Sequence, residues 1–252
     1  NGVLKYRILK EIQEAAVTLG PAEESEAKNV ASVERALSLL LAFSVERPRM
    51  TLVDLSAATG LYKSTILRLA QTLESSGFLS RSDSGHYYIG SAGLQLARLH
   101  QEAIEPAELI IPVLRQLVDD TGESACFNIK NGDNRVCLYR IESHHRLRDH
   151  VVIGDVIPLK FGAAGHVLEA FSGTGGTRNV EIRKAGYSIS QAEVSAGVAA
   201  IAAPVFKGGG ELAGAITVSG PKSRIDDETL NRLKSITIEA AERLSRRLGS
   251  LG

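Results

Sequence analysis

The sequence predicts an α+β fold in two parts: a winged helix-turn-helix, then a linker helix leading into a domain built on a mainly antiparallel sheet. Three observations carry that prediction. Between residues 30 and 77 apolar residues recur at helical spacing in three short runs, broken at Pro48, Gly60 and Gly77. The stretch FLSRSDSGHYYIG that follows sets two β-prone segments about an SDSG turn, a hairpin signature. Beyond Gly122 the runs become strand-like, joined by NGDN and KGGGE turns, before one long terminal helix.

Each element has its own warrant. VLKYRILKEIQEAAVTLG puts Leu4, Ile8, Ile12 and Leu19 on one helical face, closed by Gly20 and Pro21. The acidic PAEESEAKN behind it has no periodicity, so residues 1–29 read as an amphipathic helix and a linker. That helix must bury its stripe, against its own protein or against a dimer partner. VERALSLLLAF is the first helix of the winged unit, ending near Glu46 because Pro48 disfavours helical geometry in the residue before it. Thr51, with Asp54 three residues on, forms a capping-box arrangement for a short second helix over LVDLSAAT. Gly60 accepts the left-handed turn that ends it. The third helix, Lys63 to Ser75, turns Ile66, Leu69, Ala70 and Leu73 to one side. Ser64, Arg68, Gln71 and Ser75 fall on the other, a polar face without a carboxylate.

With the hairpin, this unit spans residues 30–90. SAGLQLARLH begins a linker helix at 91–104, and PAELIIPVLRQLVDDTG opens the second domain, 105–252, with another. There ACFNIK and NRVCLYRI form a hairpin, VVIGDVIPL a short extended piece, and GAAGHVLEAF a turn entering a helix. AGVAAIAAPVF and ELAGAITVSG form a second strand pair. DDETLNRLKSITIEAAERLSRRLG is a helix with its acids first and its bases last, as the macrodipole favours.

Composition narrows the function only a little. A chain of 252 residues can bury two separate cores, and its 29 basic residues balance 29 acidic ones, so any nucleic-acid surface must be local. Two cysteines, Cys126 and Cys137, fit a reducing cytoplasm and read as small buried hydrophobes; a redox pair would need their Cα atoms within about 7 Å. No apolar stretch approaches the ~20 residues of a membrane span, so a cytoplasmic location and no membrane partner are expected. His144, His145 and His150 offer imidazoles to a metal, but no CxxC or HExxH accompanies them. Neither a G-x-S-x-G elbow nor a phosphate-binding G-x-x-x-x-G-K-[ST] occurs, so no catalytic residue, metal or cofactor is expected and the chain is not read as an enzyme.

The acid-free helix face is the most informative feature. A solvated polar face explains most isolated amphipathic helices, but here three helices at these spacings precede a wing. In a helix-turn-helix the second helix of the pair enters the major groove with its N-terminal residues against base edges. Ser64 and Thr65 then let the backbone approach closely, Lys63 meets a phosphate, and Arg68 is long enough for bidentate bonds to guanine. Thr51 would offer the amides of its helix start to a phosphate, and Arg81 and His86 would flank the duplex as a wing.

From Val30 onward the chain resembles the isocitrate lyase regulator (IclR-type) family of bacterial transcription factors. The resemblance rests on VASVERALSLLLAF, TLVDLSAATGLYKSTILRLAQTLESSGFLSR, GHYYIG, PLKFGAAGHVLEAF, AGVAAIAAPVF and AITVSGPKSRI in that order. It implies double-stranded operator DNA as partner, a dimer or tetramer, and a GAF/profilin-like C-terminal domain that binds a small effector, commonly an organic acid. The implied pocket lies between GAAG, with Ala163, Ala164 and Gly165, and the strands carrying Thr217 and Ser219. Ser190 stands where some members have an acid and Ala200 where some have a bulkier or sulfur-bearing residue. The residues agree independently: alternation puts Thr217 and Ser219 on one strand face, opposite Ile216 and Val218, and amides at a helix start favour an anion. The alternatives are a ligand-independent DNA-binding protein and, further off, an enzyme of the α+β domain. SGTGGTRNVEIRKAG, between Phe171 and Tyr187, is shorter than the helical insert of most members; either the insert is lost or the numbering runs across absent residues, the second being the expectation.

Overall fold

The computed structural model describes residues 30–44, 47–104, 107–173 and 175–249; the amphipathic helix expected near the start lies outside them. The chain divides into two compact units that meet at Ile104 and Glu105.

The first unit comprises helices α1 (Ala31–Leu41), α2 (Leu52–Thr59) and α3 (Lys63–Ser75), strands β1 (Leu79–Arg81) and β2 (Tyr87–Ile89), and helix α4 (Ser91–Ile104). Leu39, Met50, Leu55, Ile66, Ala70, Leu79 and Tyr87 form its core. Burying a side chain such as Leu55 or Ile66 fully contributes about 1.5–3 kcal/mol. α1 stops at Leu41, short of the expected Glu46, because Phe43 turns in to pack on this core and Ser44 and Arg47 close a turn on each other. The capping box at α2 is complete: the Asp54 amide donates to Thr51 Oγ1 at 3.2 Å and the Thr51 amide to Asp54 Oδ2 at 2.8 Å. Gly60 closes α2 with φ of 71°, in the left-handed region where glycine pays no Cβ penalty. β1 and β2 pair antiparallel, and Met50 exchanges both backbone bonds with Tyr87, which ties the wing to the loop before α2.

In the second unit helix α5 (Ala107–Thr121) precedes the hairpin β3 (Ser124–Asn131) and β4 (Asn134–Ile141), then β5 (Val156–Pro158) and helix α6 (Gly162–Phe171). Next come helix α7 (Thr177–Ala185) and strands β6 (Ser188–Gln191), β7 (Val198–Phe206) and β8 (Leu212–Pro221), before helix α8 (Asp227–Gly249). All neighbours in the sheet, order β5-β4-β3-β8-β7-β6, are antiparallel. Alternation divides its central strands: Ala202 and Ala215 pack on α6, while Ile201, Ile216 and Val218 are buried on the opposite face. The short segment after Phe171 leads into α7, which Gly186 ends at φ of 77° before β6. Neither α7 nor β6 was expected from the sequence. Among the described residues no helix is long and apolar enough to cross a membrane.

Candidate DNA-binding face and ligand cavity

Two sites are built by these elements, one in each unit. On α3, Ile66, Ala70 and Leu73 face the core, which leaves Lys63, Ser64, Arg68, Gln71 and Ser75 exposed and Thr65 half-buried. Neither Lys63 nor Arg68 forms an ion pair among the described residues. Ser75 Oγ donates to the Thr72 carbonyl at 2.8 Å, so that hydroxyl is engaged by its own helix. Thr51 is half-buried and held by the capping box, whose donation to Asp54 pulls the carboxyl pKa below its ordinary value. On the wing, Arg81 is exposed and stacks over Tyr87 at 5.2 Å, while half-buried His86 sets Nδ1 3.1 Å from Ser84 Oγ. Two residues that sequence reasoning passed over join this face: Tyr62, 84% exposed immediately before Lys63, and Arg49, stacked over Tyr88 at 5.9 Å. An exposed aromatic at a helix start was the legible signal.

The second site is a cavity of about 40 Å³ between the start of α6 and the sheet. Six of the seven residues expected there line it: Ala163, Ala164, Ser190, Ala200, Thr217 and Ser219. Gly165 does not. A Cβ on it would lie 2.2 Å from the Leu159 carbonyl oxygen, so this glycine serves the close packing of α6 on the β5–α6 turn. Gly165→Ala is therefore expected to cost about 1–3 kcal/mol by overpacking, read as a lower unfolding midpoint in denaturant. The helix start is also less open than expected, because the Ala163 amide donates to Ser190 Oγ and the Gly162 amide to Glu193 Oε2, each at 3.0 Å.

Residues missed in the sequence supply the charge. Arg135, on β4, is 6% exposed and lines the cavity. Its Nη1 donates to Asn128 Oδ1 at 2.6 Å, and Asn128 Nδ2 in turn donates to Thr217 Oγ1 at 3.1 Å. Its Nε is buried without a partner, and no carboxylate among the described residues is within ion-pair reach of it. Burial pulls its pKa below the ordinary arginine value, yet a guanidinium keeps its charge in proteins. Arg140 differs: it pairs with buried Asp149, which also accepts from Ser219 Oγ at 2.7 Å. An arginine inside the apolar run NRVCLYRI was a signal; Asp149 and Glu193 lie on irregular segments and gave none.

Both cysteines are free and buried. Cys126 lines the cavity and accepts from Arg140 Nη1 at 3.0 Å. The Cys137 thiol donates to the Tyr139 carbonyl at 3.8 Å, and the interaction of the two neighbouring thiols draws the Cys126 pKa down and pushes that of Cys137 up. Among the described residues no three His, Cys, Asp or Glu side chains are grouped so as to hold a metal ion.

Beside the cavity, His166 is buried on α6. Arg178 Nη2 lies 2.7 Å from its Nδ1, and since a guanidinium only donates, Nδ1 accepts. The proton therefore sits on Nε2, which is 2.9 Å from Glu193 Oε2. Burial lowers the His166 pKa, Glu193 opposes that and Arg178 adds to it. A base with a depressed folded pKa takes up its proton more readily when unfolded, so stability is lost as pH falls below the ordinary value of 6.5. Thermal unfolding between about pH 7.5 and 5 should show His166→Gln losing less stability than the parent.

Residues 32–83 match the family described as IclR helix-turn-helix domain. Residues 100–180 and 177–246 match the one described as Bacterial transcriptional regulator IclR C-terminal, and the break falls at the short segment holding α7. The chain is similar to the HTH-type transcriptional regulator KipR of Bacillus subtilis, at 26% identity over 86% of this chain and 97% of the relative. Its identity to the transcriptional repressor IclR of Escherichia coli is 24%, over 88% of this chain and 91% of that one. Among solved structures, an IclR family regulator from Brucella abortus superposes with TM-score 0.70 at 20% identity, covering 92% of this chain and 98% of that one. An IclR homolog from Microbacterium hydrocarbonoxydans complexed with 4-hydroxybenzoate gives TM-score 0.69 at 19% identity, covering 87% and 99%. With the helix-turn-helix match in one unit and the family's C-terminal match, which alone spans more than half of the chain, in the other, the chain belongs to the IclR family of DNA-binding transcriptional regulators, not to a family of enzymes.

Proposed function

We propose that the protein is a cytoplasmic, homo-oligomeric regulator whose hold on operator DNA is controlled by a small carboxylate-bearing metabolite. The observation that carries the ligand class is Arg135. Asp149 and Asp155 act on this buried cation only at a distance, and an organic anion in the cavity would pair with it directly. The hydroxyls of Thr217 and Ser219 and the positive end of α6 favour the same sign of ligand. The relative solved with 4-hydroxybenzoate holds a molecule of this class.

On DNA, Lys63 meets a phosphate, Ser64 and Thr65 allow close approach, and Arg68 reads a base edge, with Tyr62 against the backbone. The capping box at Thr51 uses the Asp54 amide, leaving those of Leu52 and Val53 for phosphate. Arg81 from the wing and Arg49 from the loop before α2 flank the duplex, and His86 helps hold the wing's turn. Exposed apolar residues suit a second copy of the chain as cover, making a dimer or tetramer: a stripe of Val33, Leu37 and Leu41 on α1, and Leu96 and Leu99 side by side on α4 with Leu94 near them in sequence.

The test is a thermal-shift screen of small organic acids followed by a binding assay on the DNA upstream of the protein's own gene. An acid that raises the unfolding temperature and changes operator affinity supports the reading. Operator binding indifferent to every acid would instead mark a ligand-independent DNA-binding protein.

A further inference from the structure

The loop 192–197, between β6 and β7, lies over the start of α6. Val194 and Ser195 line the cavity, and Val194 Cγ2 would be only 2.8 Å from a Cβ on Gly162. Glu193 pins the loop: its Oε2 accepts from the Gly162 amide at 3.0 Å and from His166 Nε2 at 2.9 Å, and its Oε1 is 3.7 Å from Arg178 Nη2. The residue before it, Ala192, sits at φ of 61°, a left-handed conformation that a side chain with a Cβ disfavours. A carboxylate of the protein itself thus occupies the positive end of α6, at the edge of the cavity. Arg135, one wall away with Nη2 3.6 Å from the same Gly162 Cβ position, has no carboxylate paired directly with it and a buried Nε without a hydrogen-bond partner.

We propose that Glu193 is a resident stand-in for the effector's carboxylate, and that an acid binds by displacing it from the Gly162 amide and lifting the 192–197 loop off the cavity. This rests on the reading that the cavity takes an organic acid. Two carboxylates cannot share one amide and one helix end without repulsion, so binding of the ligand and closure of the loop exclude each other. The affinity of any acid is then reduced by the fraction of molecules that are open; a loop closed in about nine-tenths of them costs about tenfold.

Benzoate, with benzamide as its neutral match, serves as the probe in calorimetric titrations of the full chain. Glu193→Gln keeps the shape of the side chain and removes its charge, and should bind benzoate about tenfold more tightly than the parent, with benzamide gaining no more than that. Equal or weaker benzoate binding by the variant overturns the proposal while leaving the effector reading intact, provided the parent binds. Benzoate and acetate binding by neither protein sinks both. If the variant does not fold, hydrogen exchange on the parent decides: amides of 192–198 should exchange faster with benzoate bound. Slower exchange there, a loop closing over its ligand, overturns the proposal.

Discussion

Arg135→Met is expected to leave the protein as stable as the parent or more so, and to remove its response to organic acids. The guanidinium is buried with no carboxylate paired directly to it, and replacing a poorly compensated buried charge by an apolar side chain of similar length stabilises by about 1–4 kcal/mol in favourable cases. Against this, Asn128 Oδ1 loses its donor, at about 1–3 kcal/mol, so the net change lies near zero or above. Ligand binding has no such compensation. Truncating one partner of a buried, hydrogen-bonded charge pair costs about 2 kcal/mol or more, roughly thirtyfold in affinity. Thermal unfolding with and without acid measures both effects on one sample. A variant that is strongly destabilised, or that keeps the parent's thermal shift with the acid, contradicts the assignment of Arg135 to the ligand.

Arg68→Ala is expected to weaken binding to the specific operator by about 1–3 kcal/mol and to leave binding to random DNA nearly unchanged. Arg68 is exposed one turn into α3, on the face that carries Ser64 and Gln71, and its removal costs the core nothing because Ile66, Ala70 and Leu73 hold the helix. Titrations on operator and scrambled duplex at one salt concentration compare the two. Equal losses on both would make Arg68 a phosphate contact.

The first unit was largely legible because its signals are local. Thr51 and Asp54 meet across three residues, Gly60 closes its own helix, and the apolar spacing of Ile66, Ala70 and Leu73 already orients α3. The end of α1 was misjudged for the opposite reason: Phe43 is drawn from the helix by core contacts that no window of sequence contains. The same contrast runs through the sheet. Period-two alternation placed Thr217 and Ser219 on one face, as found, whereas the low apolar content of TRNVEIRKA hid α7, a mostly exposed helix that Gly176 and Gly186 delimit.

By itself, then, the sequence determined the order of most elements, the outward face of α3 and the side of β8 that lines the cavity, because caps, turns and periodicities act within a few residues. Only the tertiary structure decided the electrostatics of the cavity. Ser219 and Asp149 are 70 positions apart and Gly162 and Glu193 are 31 apart, yet each pair is joined by one hydrogen bond. The glycine at 165 likewise answers to a carbonyl on the preceding turn rather than to a ligand. Coulomb and steric terms act through space, so which charges are directly paired, and that Arg135 is not, follows from the packing of separate elements around one small volume.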